Sequence, residues 1–311
     1  MNLYFLGTGA GRPAVHRNTA GIILQPSEQS QEIWLFDCGE GTQQQILRSP
    51  YNLRKITNIF ITHLHGDHVF GLPGLVSSRS FTAQDQPLSI YGPAGLREFL
   101  LTALRLSGTN LTYPLDIREI QHGSALEVNN YTVKVMEVEH VLPSFGYRIE
   151  EPDRPGRLNV EKLQALNIPP GPIYGQLKSG AVVTLPGGEV LRGSDFVGPP
   201  QPGRRVVIVG DSRSCQAAVD LAQGADVLVH EATFEAASGE KAFAYFHSTT
   251  AQAAEIAKKA GVRQLVLTHL SSRYTKQAEQ KLLAEAQRVF PNTVIASDHL
   301  SVPVTRAPLG F

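Results

Sequence analysis

The string His63-Leu64-His65-Gly66-Asp67-His68 puts three imidazoles and a carboxylate within six residues. It follows Asn58-Ile59-Phe60-Ile61-Thr62, an apolar, β-branched run that reads as a buried strand. The cluster therefore begins where a strand runs out into a loop. Imidazole nitrogen and carboxylate oxygen are the usual ligands of catalytic zinc. Alternate residues of extended backbone share a face, which puts His63 and His65 on one side. Gly66 then allows a tight turn that aims Asp67 and His68 at a second point. One short loop can in this way serve two metal ions. The competing reading is a polar loop with histidines there by chance, and the density of ligand types after a strand makes it the weaker one.

Three more strand ends offer ligand types. Residues Tyr131–Val138 alternate as a strand and deliver Glu139 and His140. The apolar run Arg205–Val209 delivers Gly210, Asp211 and Ser212, and residues 264–267 deliver Thr268 and His269. In open α/β sheets, sites gather beyond the carboxyl ends of strands. A lone histidine at a strand end is ordinarily a satisfied polar residue. Four strand ends with suitable residues argue instead for one composite site.

The chain also carries Phe5-Leu6-Gly7-Thr8-Gly9-Ala10-Gly11-Arg12-Pro13, Asp37-Cys38-Gly39-Glu40-Gly41-Thr42, Gly71-Leu72-Pro73-Gly74-Leu75 and Gly210-Asp211-Ser212-Arg213. Further on come His230-Glu231-Ala232-Thr233-Phe234, His247-Ser248-Thr249 and Leu267-Thr268-His269-Leu270-Ser271-Ser272-Arg273-Tyr274. With the His-x-His-x-Asp-His string, this set resembles the ribonuclease Z branch of the metallo-β-lactamase superfamily, nearly end to end. The resemblance implies an α/β fold, the metallo-β-lactamase αβ/βα sandwich, with helices outside and two sheets packed inside. It implies a zinc-dependent endoribonuclease that removes the 3′ trailer of precursor tRNA after the discriminator base. The products would be a 3′ hydroxyl on the tRNA and a 5′ phosphate on the trailer. A homodimer, in which the arm of one subunit holds RNA cut by the other, is implied as well.

On this basis two Zn2+ per subunit are expected. One is assigned to His63, His65 and His140, the other to Asp67, His68 and His269, with the Asp211 carboxylate bridging. Two such ions about 3.5–4 Å apart make a nucleophile available from water near neutral pH. By the resemblance Asp67 is also the proton acceptor. His247, oriented by Glu231, is the candidate acid for the departing 3′ oxygen. His230 is read as fixing this arrangement by hydrogen bonding, and His16, His122 and His299 as surface or supporting residues. The opening glycine-rich string lacks the spacing of a nucleotide fingerprint, and no helix follows it, so no nucleotide cofactor is expected. Arg12, Arg17 and Arg273 are candidate acceptor-stem contacts.

The chain of 311 residues can bury a substantial core and is read as one metallo-β-lactamase-fold domain, 1–311. Residues 150–203 break into prolines and glycines, with only 160–166 patterned as a short helix. So long an irregular stretch is expected to be functional or mobile rather than packed core. The resemblance makes it an inserted flexible arm that grips the tRNA elbow, with Arg154, Arg157, Lys162, Lys178 and Arg192 as candidate phosphate contacts. Elsewhere strands are expected at 3–6, 21–24, 33–36, 58–61 and 88–91, then a helix at 93–106 with Pro93 in its first turn. The second half alternates strand and helix to residue 296, with Thr249 or Ser248 capping a helix at Thr250.

The 28 basic residues balance the 28 acidic ones. That argues against a surface coated in positive charge but leaves room for a local RNA-binding patch. The two cysteines, Cys38 and Cys215, form no spaced motif. No export signal or membrane-length apolar run is read, so a cytoplasmic protein is expected. Competing readings are another hydrolase of this fold, a diiron oxidoreductase, and a non-catalytic RNA-binding module. The arm disfavours the first, His65 in place of a Glu the second, and the complete ligand set the third.

Overall fold

The computed structural model describes residues 1–306. They divide into two compact units, one of residues 1–149 with 204 onward and one of residues 150–203.

The larger unit is built on two seven-stranded sheets. The first pairs Ser301–Pro303, Asn2–Gly7, Gly21–Gln25, Ile33–Phe36, Ile56–Phe60, Leu88–Gly92 and Leu115–Glu119 in that order. The second runs Thr293–Ile295, Gln264–Thr268, Val227–Glu231, Arg205–Val209, Ser144–Glu150, Tyr131–Val138 and Ala125–Val128. Their central strands are apolar on both faces, as a sheet covered on both sides requires. Leu3, Phe5, Trp34 and Phe36 join Val206, Ile208 and Val229 in one buried layer between the sheets. The alternate residues Leu6, Ile33 and Leu35 pack outward with Leu72, Leu75, Leu96 and Leu100 of the N-terminal helices. Val207, Val209, Leu228 and Leu265 pack outward with Ala218, Leu221, Ala253 and Ile256 of the C-terminal ones. The result is helix, sheet, sheet, helix.

Period-2 alternation thus accounts for both faces of the strands. The expected strands are present with ends moved by a residue or two, and Thr250–Ala260 is a helix as expected. Pro93 does not sit in the helical turn. The helix is Leu96–Leu106, and Gly95, at φ 94°, starts it after a turn in which Leu96 N donates to Pro93 O. The helices Thr42–Leu47 and Leu72–Arg79 and the strand Ser144–Glu150 lie outside the sequence expectation.

Residues 150–203 also depart from expectation. Besides Val160–Ala165 they form a helix Pro172–Lys178 and a hairpin of Val182–Thr184 with Val190–Arg192. Leu163, Ile168, Leu177, Leu191 and Phe196 make a small core of their own. Prolines and glycines here punctuate short elements instead of abolishing them: Pro172 opens its helix and Gly188, at φ 86°, turns the hairpin. The bridge between Arg154 and Gln201, and the bond from Gly203 N to Asp153, close the unit at its stem.

Thr249 accepts from Gln252 N while the Gln252 side chain accepts from Thr249 N, a complete capping box. Thr249→Ala should cost about 1 kcal/mol. Urea denaturation should show a lower midpoint at unchanged slope. An unmoved midpoint would mean the cap contributes nothing here.

Candidate metal centre

His63, His65, Asp67 and His68 leave the end of the strand Ile56–Phe60. His140 follows Tyr131–Val138, Asp211 follows Arg205–Val209, and His269 follows Gln264–Thr268. All are carboxyl ends, and the two sheets bring them together. Gly66 acts differently from the expected tight turn: it opens a single helical turn, Gly66–Val69, with His65 ahead of it. That turn carries Asp67 and His68 inward. It packs on the segment after Ile33–Phe36, where a Cβ on Gly39 would lie 2.1 Å from Asp67 O.

His63 Nε2 lies 3.0 Å from His65 Nδ1, which is 3.1 Å from His140 Nε2. His68 Nε2 and His269 Nε2 are 3.3 Å apart, and Asp67 Oδ2 is 3.5 and 3.2 Å from them. A single atom, Asp211 Oδ2, lies 3.7 Å from His63 Nε2, 3.5 Å from His68 Nε2 and 3.3 Å from His269 Nε2. Donor atoms around a tetrahedral zinc with bonds near 2.0–2.1 Å stand about 3.3 Å apart. The spacing is that of donor atoms able to hold metal ions. The seven predicted ligands are the residues so brought together.

The outer ring nitrogens decide which way the lone pairs point. His140 Nδ1 is 2.9 Å from Phe246 O, an acceptor only, so Nδ1 carries the proton and Nε2 the inward lone pair. His68 Nδ1 meets the Asp37 carboxylate at 2.7 Å, with the same consequence. Thr233 Oγ1 donates to Glu231 Oε2 at 2.8 Å, and so accepts from His269 Nδ1 at 3.1 Å. Burial holds His63, His65 and His140 toward the neutral form. Burial opposes charge on Asp67 and Asp211 too, but the surrounding histidines outweigh it and keep both carboxylates ionised. Neutral imidazoles and ionised carboxylates are the states that bind cations.

Asp37, Thr62, Thr233, Phe246 and Arg213 carry structural roles that pattern reading does not assign. Asp37 accepts from Thr62 N, Thr62 Oγ1 and His68 Nδ1. Its place after a strand parallel to the His63 strand is the available signal. Arg213 lies between the rings of Phe243 and Phe246, 3.8 and 3.6 Å from their centres, and donates to Phe243 O. It thereby steadies the loop whose carbonyl holds His140. The glycine-rich opening also serves the site directly, since Gly11 N donates to Asp67 Oδ2 at 2.7 Å.

His247 sits beside the cluster, its Nδ1 2.9 Å from Glu231 Oε1 and 3.9 Å from Asp211 Oδ2. Burial disfavours its charge, but the Glu231 hydrogen bond and the nearby carboxylates push it up to about 9. Glu231 is buried and also accepts from Thr233 N and Ser248 N. His230 Nδ1 lies 2.8 Å from Glu231 O, and its Nε2 is buried without a hydrogen-bond partner. His16 lies 3.9 Å from Glu279, His122 Nδ1 accepts from Glu137 N, and His299 pairs with Tyr4. Arg17 corrects the RNA-contact expectation. It is buried, bonded to Thr8 Oγ1 and Ala296 O, and paired with Glu279 at 2.8 Å. Its guanidinium holds the opening loop to the C-terminal strands. Arg12, Arg273, Arg154, Arg157, Lys162, Lys178 and Arg192 are exposed, although Lys162 Nζ donates to Asp195 O. Cys38 and Cys215 are buried and free, and burial pushes the Cys38 thiol up, which suits an inert packing role.

Fold and site together define a metallo-β-lactamase-fold protein with a His–Asp cluster able to bind metal. A family model described as "Anti-Pycsar protein Apyc1" matches residues 1–153, a stretch with His63–His68 and His140 but without Asp211 or His269. Over the whole chain, a ribonuclease Z of Geobacillus kaustophilus is 53% identical across 306 residues, 98% of this chain and 100% of that one. A ribonuclease Z of Lactiplantibacillus plantarum is 53% identical across 96% of each chain. The crystal structure of the short form of human tRNase Z superposes with a TM-score of 0.70 at 31% identity, covering 98% of this chain and 100% of that one. The metallo-β-lactamase fold protein YhfI of Bacillus subtilis, 20% identical with a TM-score of 0.69 over 97% and 99% of the chains, shares the fold. The chain belongs to the ribonuclease Z family.

Asp37→Asn should weaken metal binding about 10–100-fold, because it removes the charge that fixes the His68 tautomer. Titration of the metal-stripped protein with zinc, followed by calorimetry, should show the weaker affinity. Unchanged affinity would remove Asp37 from the site's support.

Proposed function

We propose that this protein is a metal-dependent endoribonuclease that removes the 3′ trailer from precursor tRNA, using the His–Asp cluster as its active site. The observation that carries the reading is the gathering of seven ligand-type side chains at one site, with three of the histidines within 3.7 Å of Asp211 Oδ2, in a chain whose whole-length relatives are named ribonuclease Z.

His63, His65 and His140 would hold one zinc ion, Asp67, His68 and His269 the other, and Asp211 would bridge them. Such a pair supplies a nucleophile from water near neutral pH and neutralises charge on the phosphate. The Asp67 carboxylate, oriented by Gly11 N, would accept the proton of the attacking water. Attack on phosphorus breaks its bond to the 3′ oxygen of the discriminator nucleotide. His247 Nδ1 is tied to Glu231, which leaves Nε2 to protonate that departing oxygen. The products are a tRNA 3′ hydroxyl and a trailer 5′ phosphate.

Residues 150–203 are read as the arm that grips tRNA away from the cut, with the exposed Arg154, Arg157, Lys178 and Arg192 as phosphate contacts. Lys162 is the weaker candidate because its ammonium is already bonded to Asp195 O. Assembly as a homodimer belongs to the same reading and rests on the family resemblance. So does a cytoplasmic location, with which one observation agrees: no helix among the described residues is long and apolar enough to cross a membrane.

Asp67→Ala should abolish cleavage of a trailer-bearing precursor while leaving most RNA binding intact. A variant that keeps a tenth of wild-type turnover sinks the assignment. Replacing residues 154–192 by a short linker should separate two activities. Hydrolysis of bis(p-nitrophenyl) phosphate should persist, precursor cleavage should fall steeply through weaker binding, and the salt dependence of RNA affinity should flatten. Equal loss of both activities would make the insert a support of the fold.

A further inference from the structure

A cavity of about 310 Å³ opens over the cluster. One wall is catalytic: His65, Asp67, Asp211, His247 and His269. The rest of the lining is of a different kind and includes Phe234, Lys241, Tyr245 and Arg273. Tyr245 is 63% exposed, so its ring face is open to a ligand. Phe234 is buried beneath, its ring centre 6.5 Å from that of Tyr245. Lys241 Nζ lies 6.0 Å from the Tyr245 ring and 5.8 Å from that of Phe234, and the Arg273 guanidinium stands 5.1 Å over Phe234. Arg273 Nε is held by Ser271 Oγ, which leaves the rest of its fork unengaged. Neither cation has a carboxylate partner among the described residues. An exposed flat ring that shares one lining with two cations lacking carboxylate partners fits a nucleobase with its phosphate.

This part of the lining also has a side. The helix Gly239–Ala244 leads through Tyr245 and Phe246 directly into His247, and Phe234 packs 6.1 Å from the His247 ring. A sugar whose 3′ oxygen meets His247 would project its base toward Tyr245.

We infer that Tyr245, with Lys241 and Arg273 in the same lining, is the seat of the last tRNA nucleotide, the one that carries the departing 3′ oxygen. The inference rests on the proposed endonuclease reading. Stacking on an aromatic face tolerates any base, so this seat positions the cut while accepting precursors that differ at that nucleotide. Lys241 and Arg273 take the phosphate on its 5′ side.

The test is a cycle of enzyme and substrate changes, read as single-turnover kcat/KM. Wild type, Tyr245→Ala and Tyr245→Phe are each given a precursor that is intact, abasic at the last tRNA nucleotide, or abasic at the first trailer nucleotide. Wild type should lose about five- to a hundredfold on the first abasic substrate. Tyr245→Ala should show a similar loss on the intact precursor and little further loss when the base is missing. Tyr245→Phe, which keeps the ring, should behave as wild type. The inference is overturned if Tyr245→Ala still distinguishes base from no base as wild type does, or if the coupling appears at the trailer nucleotide instead. Failure of wild type to cut the intact precursor would refute the endonuclease reading itself, a different result from a missing coupling.

Discussion

Asp211 Oδ2 is the atom on which the site depends. It lies within 3.7 Å of a nitrogen from each of three histidines that belong to two ligand groups. A carboxylate can face that many donors only if the strand bearing it ends level with the strands bearing the others. Arg205–Val209 is parallel to Val227–Glu231, which is parallel to Gln264–Thr268, so Asp211, Glu231 and His269 emerge at one rim. In the facing sheet, Ile33–Phe36 and Ile56–Phe60 are parallel too, and deliver Asp37 and the His63–His68 loop. Gly210 lets the rims close: a Cβ there would stand 2.7 Å from Thr62 Cβ and Ser144 Oγ.

That convergence has a backbone cost. Asp37, Phe246 and His269 all adopt positive φ, at 56°, 59° and 57°. Such positions cost on the order of 1–3 kcal/mol each and persist where neighbours over-determine them. Here the neighbours are the site's own hydrogen bonds. Asp37 is fixed through Thr62 and His68, Phe246 through His140 and the Arg213 stack, and His269 through Thr233. These three residues aim candidate ligands, and the bonds that offset their strain also set the tautomers. Preorganisation and strain are therefore the same contacts seen from two sides.

The candidate ligands are legible in the sequence because each follows a segment patterned as a strand: apolar runs before His63, Asp211 and His269, an alternating one before His140. Strands buried on both faces announce themselves, and helix Thr250–Ala260 carries its own capping box. What stays hidden depends on contacts distant in sequence. Leu115–Glu119 and Ala125–Val128 are edge strands with one buried residue each, and nothing in Ser301–Pro303 says that it pairs with Asn2–Gly7 at the other end of the chain. Arg17 reads as a surface cation until Glu279, 262 residues on, is seen to lie against it. Asp37 and Arg213 stand in familiar strings, but what they do appears only when a second loop lies against them.

The proline- and glycine-rich insert shows a further limit of pattern reading. Its apolar residues are spaced too widely for helix or strand periodicity to stand out. Leu163, Ile168, Leu177, Leu191 and Phe196 nevertheless meet in one cluster. So small a core can order residues 150–203 only if the turns between its members form at little cost. Prolines at compatible positions lessen the entropy lost on folding, and glycines take up left-handed backbone without strain. The insert contributes none of the seven ligands, and its basic residues are carried on a surface with its own internal support. An exosite needs that division. Binding energy gathered far from the reacting bond raises the rate only if it can hold the bond in place without disturbing the groups that cut it.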